Sequence, residues 1–137
     1  MKKKSSSFFS TKQRIFSGRA LSTISFPLGG IGTGCVGLSG RGGLIDWQIF
    51  NRPSIGFTLP RTFPIIWAKE KGQPAVCRVL LAPPLPPYEG NGHGTFAFSG
   101  EGFPHMDSCT FRGEFPFAWV DFISRKLPIT VSLEAYN

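Results

Sequence analysis

The chain has 137 residues, enough for one domain with a single modest hydrophobic core. Apolar residues make up 41% of it, which excludes a disordered chain, and its 17 glycines and 12 prolines follow no period, which excludes a collagen-like repeat. The net charge of +7 comes almost entirely from the N-terminal end, because six basic residues precede residue 20 and no acidic residue precedes Asp46. Specific nucleic-acid binding is therefore not expected, since it needs a basic stripe over the folded part.

Residues 1–19 are predicted to be a flexible basic tail, followed by a single folded domain over residues 20–137. The tail lacks the apolar core of roughly 7–15 residues that an export signal requires. No later segment is long and apolar enough to span a bilayer. We therefore predict a cytoplasmic protein whose tail makes, at most, a weak and non-specific contact with an anionic membrane surface.

A glycine-rich stretch follows, with eight glycines between Gly29 and Gly43. Three of them spell the G-x-G-x-x-G pattern of dinucleotide-binding loops: Gly32, Gly34 and Gly37. That pattern binds phosphate only where a strand leads into it and a helix opens from it. Pro27 interrupts the lead-in, and the later glycines oppose a helix. The stretch is therefore predicted to bend β-hairpins, and no nucleotide cofactor is expected.

Short apolar and aromatic segments separated by glycine and proline predict strands over the rest of the chain. These predicted strands lie at residues 31–38, 44–50, 63–69, 75–81, 95–99, 109–111, 117–123 and 129–135. The segment 75–81 is apolar at nearly every position, as in a strand covered on both faces, whereas 129–135 alternates as in a sheet with one wet face. The predicted fold is an all-β antiparallel sandwich, incomplete at its C-terminal end because the chain stops directly after the last strand.

The cysteines and histidines are not spaced as in a disulfide framework or a metal site. Cys35, Cys77 and Cys109 are odd in number and widely spaced, so neither a disulfide framework nor a zinc site is predicted, and buried reduced thiols are the default. His93 and His105 lack the clustered carboxylates of a metal site. No metal or cofactor is expected.

Other side chains have a structural and a functional interpretation. His105, Asp107 and Cys109 would share one face of a strand as a nucleophile with its base, but a loop after Pro104 is the preferred interpretation. Arg41 and Asp46 are predicted to pair across a hairpin. The three tryptophans are Trp47, Trp67 and Trp119. They could stack on sugar rings, although core packing is the commoner role of tryptophan.

The stretch from Leu21 to Phe57 resembles the N-terminal region of glycoside hydrolase family 116, which includes non-lysosomal glucosylceramidases (bile-acid β-glucosidases) and their microbial relatives. The residues that carry the resemblance are Pro27 to Gly34, Gly37-Leu38, Arg41-Gly42 and Asp46 to Pro53. Two later segments look like strands of the same domain, Pro116 to Ala118 and Leu127 to Ala135. Many relatives carry Glu at the position of Gln48, a departure that touches no catalytic position of the family.

The resemblance implies a β-sandwich that supports a separate catalytic domain. In this family the nucleophilic Glu and the acid/base Asp come from an (α/α)₆ barrel after the sandwich, and no such barrel occurs here. None of the eight carboxylates lies in a catalytic motif of the family: Asp46, Glu70, Glu89, Glu101, Asp107, Glu114, Asp121 and Glu134. No residue of this chain is therefore predicted to be catalytic, cofactor-binding or metal-binding.

We accordingly expect a truncated or split piece of a retaining β-glucosidase or glucosylceramidase, inactive by itself. Its expected partner is an (α/α)₆ barrel in cis or on a separate chain, and a glucoside or glucosylceramide would be bound only through that barrel. The alternative is a stand-alone carbohydrate-binding or interaction sandwich that uses exposed aromatic side chains.

Overall fold

The computed structural model describes residues 14–30, 32–84 and 102–137. Over these residues the fold is all-β apart from one 3₁₀ helix at Gly18–Thr23, and the strands of each sheet are antiparallel, as the sequence predicts. The strands are β1 (Ile15–Phe16), β2 (Ser25–Leu28), β3 (Cys35–Ser39), β4 (Leu44–Gln48), β5 (Ile65–Ala68), β6 (Val76–Val79), β7 (Ser108–Glu114), β8 (Phe117–Ile123) and β9 (Val131–Tyr136).

A four-stranded sheet in the order β1-β7-β8-β9 forms one layer. Its last strand alternates half-buried and exposed residues from Val131 to Tyr136, which confirms the predicted wet face. The acidic residues Asp121 and Glu134 lie on that exposed side. The strand β1 pairs with β7 through Ile15 and Phe16, so part of the segment predicted as a tail is ordered strand in the structure.

The glycine-rich stretch forms the two turns of a second sheet, in the order β2-β3-β4. This confirms the hairpin prediction, because Gly37 lies inside β3 and no helix follows the glycines. The strand β2 was not predicted, since Pro27 lies within it. Pro27 is tolerated there because β2 is an edge strand, opposite Gly37. The predicted strand 31–38 also begins late, at Cys35, because Gly32 and Gly34 take positive φ angles of 85° and 95° in the turn.

The pairing of β3 with β4 contains a register shift between Cys35 and Gly37. Asp46 lies opposite this shift and has a φ angle of 52°. The irregularity breaks the predicted alternation of Ile45, Trp47 and Ile49, and all five residues of β4 are half-buried.

The strands β5 and β6 form a separate two-stranded hairpin. The strand β5 begins at Ile65, two residues after the predicted start at residue 63, because Pro64 has no backbone N–H to donate to the partner strand. The sequence predicts that β6 is covered on both faces. This prediction is wrong, because Cys77 is exposed. Cys77 lies opposite Trp67 on the outer side of this hairpin.

The core lies between the four-stranded and three-stranded sheets. Phe26 of β2 contacts Phe111 of β7 with ring centroids 6.5 Å apart, and the thiol of Cys109 donates to the carbonyl of Gly40 at 3.4 Å. Burial of these apolar side chains is the main favourable term in the stability of such a sandwich. The most buried hydrophobic residues of the described chain are Leu38, Val79, Met106, Phe111, Ala118 and Val120.

Several predictions fall on residues that the structure does not describe, among them the strand 95–99, His93, Glu89 and Glu101. In the part of the chain that it does describe, no helix is long and apolar enough to cross a membrane.

Candidate functional site

The described aspartates all hydrogen-bond to groups of their own sheet or turn. Asp121 accepts a hydrogen bond from the Ser132 hydroxyl on β9 at 2.5 Å. Asp107 accepts one from the backbone N–H of Arg125 at 2.7 Å, and this bond is the main reason why the pKa of Asp107 lies below its usual value. These two carboxylates act as structural hydrogen-bond acceptors.

The His105, Asp107 and Cys109 side chains do not form a nucleophilic group. Cys109 is 3% exposed, and its burial raises the pKa of the thiol to about 11. A reactive cysteine needs the opposite shift, toward a stabilised thiolate. The His105 ring lies with Nδ1 3.0 Å from the carbonyl of Phe103, while Asp107 binds Arg125. The preferred loop interpretation after Pro104 is confirmed, since β7 begins only at Ser108.

The three tryptophans lie in different environments. Trp47 is half-buried, and its indole nitrogen is enclosed without a hydrogen-bond partner in the described part of the chain. Trp119 is stacked against Phe117 with centroids 5.9 Å apart, and the Arg112 guanidinium lies 4.3 Å from its ring centroid. Trp67 is 65% exposed. Of the three, Trp67 therefore offers the most accessible ring surface for a sugar.

Arg41 and Asp46 do not pair, contrary to the sequence prediction. Arg41 donates from Nε and a terminal nitrogen to the carbonyl of Ala82, at 3.0 and 2.7 Å, and so ties the β3–β4 turn to the segment after β6. Asp46 instead bonds to Ser25 on β2 and to residues 56 and 57 of the segment that follows β4.

Residues 49–64 form a loop that joins β4 to β5. Asp46, on β4, hydrogen-bonds to the middle of this 49–64 loop. One carboxylate oxygen accepts a hydrogen bond from the Ser25 hydroxyl on β2, and the other accepts one from the N–H of Gly56, both at 2.6 Å. The backbone N–H of Asp46 also donates to the carbonyl of Phe57 at 2.9 Å. The last two bonds hold residues 56–57 of the loop against the sheet.

The 49–64 loop exposes large apolar side chains. Phe50 is 87% exposed and Ile55 is 81% exposed, while Phe57 and Leu59 are 45% and 40% exposed. Single exposed apolar residues are ordinary, but four within ten residues of one loop expose an unusual amount of apolar surface for one segment, as binding surfaces do.

Backbone strain is concentrated in the same region. Among the described residues, those other than glycine with positive φ are Asp46, Phe50, Asn51 and Arg61. The N–H of Arg52 donates to the carbonyl of Ile49 at 3.2 Å, so Phe50 and Asn51, at φ angles of 56° and 55°, occupy the centre of a tight turn. A bulky residue at positive φ is unfavourable, by about 1–3 kcal/mol. The turn nevertheless presents Phe50 at its tip, and such strain is common at binding sites.

The exposure of this loop was not predicted from the sequence. The apolar residues of 49–64 look like core residues or strand residues, and nothing in their spacing indicates exposure. The available signal was Asn51-Arg52-Pro53, whose asparagine and proline predict a turn that interrupts the apolar run.

Residues 25–137 match the family model described as beta-glucosidase 2, glycosyl-hydrolase family 116 N-term. The match confirms the resemblance and covers all strands from β2 to β9, as well as the 49–64 loop. No match was found among curated proteins.

Proposed function

Since the chain belongs to glycosyl-hydrolase family 116, of which it carries the N-terminal domain, we propose that it is the non-catalytic supporting β-sandwich of a retaining β-glucosidase. The catalytic carboxylates would be supplied by an (α/α)₆ barrel in cis or on a separate chain. The substrate would be a β-glucoside, with glucosylceramide as the lipid-linked member of that class, and it would be bound by the barrel.

The family match over residues 25–137 is the observation that carries this proposal. The chemistry of the described residues supports it. A retaining glycosidase needs two carboxyl groups about 5–5.5 Å apart, one of them with a raised pKa so that it can act as an acid. The described aspartates are instead bonded to serine hydroxyls and backbone amides, and the pKa of Asp107 is shifted downward.

A direct test is hydrolysis of an aryl β-glucoside by the purified chain and by the chain mixed with a family 116 barrel from the same organism, produced as a separate polypeptide. The chain alone should give no turnover above the buffer rate. The mixture should be more active or more heat-stable than the barrel alone. Turnover by the chain alone that survives repurification would contradict a non-catalytic role.

A second function, a stand-alone carbohydrate-binding module, is favoured by the exposure of Trp67 on the outer side of the β5–β6 hairpin. Sugar binding to an aromatic platform buries one ring face. Ligand-dependent melting with glucosides and a glycan array would detect it, and Trp67→Ala should abolish any signal. The absence of a shift with every glucoside would exclude this function.

A further inference from the structure

We infer that the 49–64 loop is the surface through which this domain docks onto the catalytic barrel, with Phe50 and Ile55 as its central contacts. This inference rests on the proposed function and adds to it the face of the sandwich that meets the partner. The expected partner surface is apolar and bordered by carboxylates.

The exposed area is of the size that an interface core needs. Phe50, Ile55 and their two half-exposed neighbours present on the order of 500 Å² of apolar surface, near the upper end of the largest patch on an ordinary monomer. A standard stable interface buries about 800 Å² on each partner, and its central aromatic contacts carry most of the affinity. The loop would supply the greater part of such a contact.

The charge of the loop limits what can cover it. Between residues 47 and 68 the chain carries Arg52 and Arg61 and no acidic residue. Both arginines are exposed. The nearest carboxylate, Asp46, is already bonded to Ser25 and Gly56. Two copies of this loop facing each other would therefore bring like charges together, so the charge opposes self-association through this face. A partner with acidic residues around an apolar centre is complementary to it.

The fixed shape of the loop favours a protein surface over a lipid surface. Two hydrogen bonds between Asp46 and residues 56 and 57, together with the tight turn at Phe50, restrain the loop, which lowers the entropy cost of docking onto a matching solid surface. A fluid bilayer needs no such match, and recognition of anionic lipid typically uses a cluster of about four to eight basic residues. The loop has two.

The test is the affinity of the full chain for the separately produced family 116 barrel, measured by calorimetry for the wild type and three single variants. Phe50→Asn removes the aromatic ring while placing a residue that suits positive φ in the turn, so the fold is retained. Ile55→Ser removes the second contact. Ile123→Ser is the matched control, because Ile123 is 51% exposed on β8, in the other sheet.

The expected result is a loss of at least tenfold in affinity for Phe50→Asn and for Ile55→Ser, and a change of less than twofold for Ile123→Ser. Hydrogen exchange of residues 50–59 should also slow when the barrel is added. If the wild type binds the barrel and all three variants bind equally well, the docking face is wrong while the supporting role stands. If the wild type does not bind the barrel at all, the proposed function itself fails.

Two further measurements oppose the inference if they are positive. Sedimentation of the chain with vesicles of phosphatidylserine and phosphatidylcholine, reduced by Phe50→Asn, would show that the loop binds lipid. A concentration-dependent dimer that is lost in Phe50→Asn would show that a second copy covers it. The account predicts a monomer that remains in the supernatant.

Discussion

Replacing Gly42 by alanine tests how the glycine-rich stretch builds the core. Gly42 lies in the β3–β4 turn at a φ angle of +96°, where its N–H donates to the carbonyl of Ser39 at 3.0 Å. An added Cβ would lie 2.6 Å from Cζ of Phe122 and 3.2 Å from the carbonyl oxygen of Leu80. Phe122 is 4% exposed, so its ring has little space into which it can move.

Two costs add at this position. The left-handed backbone costs about 1–2 kcal/mol for a residue with a Cβ, and overpacking a closed core costs about 1–3 kcal/mol. We therefore expect Gly42→Ala to lower the free energy of unfolding by about 3 kcal/mol. Gly72→Ala is the matched control, because Gly72 has a φ of +81° and nothing within 4 Å of an added Cβ. It should cost only about 1 kcal/mol.

Urea unfolding of the wild type and both variants measures these free energies, provided that the m-value is unchanged. Combining Gly42→Ala with Phe122→Leu adds a double-mutant cycle, in which the second substitution should cost about 1 kcal/mol less than it does in the wild type. Equal losses for Gly42→Ala and Gly72→Ala would refute the proposed contact between the turn and the ring of Phe122.

Three further predictions concern the groups that hold the fold and the loop in place. Asp46→Ala should speed hydrogen exchange at the Gly56 amide by tenfold or more, because the acceptor is lost. Asp46→Asn is the control and should preserve most of the protection, because its amide oxygen still accepts a hydrogen bond and asparagine suits positive φ. Arg41→Met should cost about 1–3 kcal/mol in urea unfolding, because the carbonyl of Ala82 loses two charge-assisted bonds, and an unchanged midpoint would contradict that role. The pKa of Cys109 is raised from 9.0 to about 11, so the unfolded chain loses this proton first. The contribution of Cys109 to stability should therefore be constant below about pH 9 and fall between pH 9 and 11, and that fall should be smaller in Cys109→Ala.

The strands with regular alternation could be predicted from sequence. The bounds predicted for β8 agree with the structure, and β9 differs by two residues at its start and one at its end, because their apolar residues repeat with a period of two beside a single core. The strand β2 could not be predicted, since Pro27 opposes a strand unless it is known to lie at an edge.

The candidate site could not be predicted from the sequence, because its contacts arise from tertiary structure. That Asp46 would bond to Ser25, 21 residues earlier in the chain, follows only from the pairing of β2 with β3 and the register shift in β4. Residues 49–64 lie between β4 and β5 and outside every sheet, and their exposure could not be inferred from their apolar character. The family resemblance, by contrast, was visible in the residues from Pro27 to Pro53 and needed no structure.

The central claim is that this domain supports catalysis by a separate barrel without catalysing hydrolysis itself. The most direct measurement is the rate of aryl β-glucoside hydrolysis by the family 116 barrel, titrated with the purified chain at a temperature where the barrel alone slowly loses activity. We expect the retained rate to rise and saturate with added chain, and the chain alone to give no hydrolysis. A rate that is independent of the chain at every concentration, or hydrolysis by the chain alone, would contradict it.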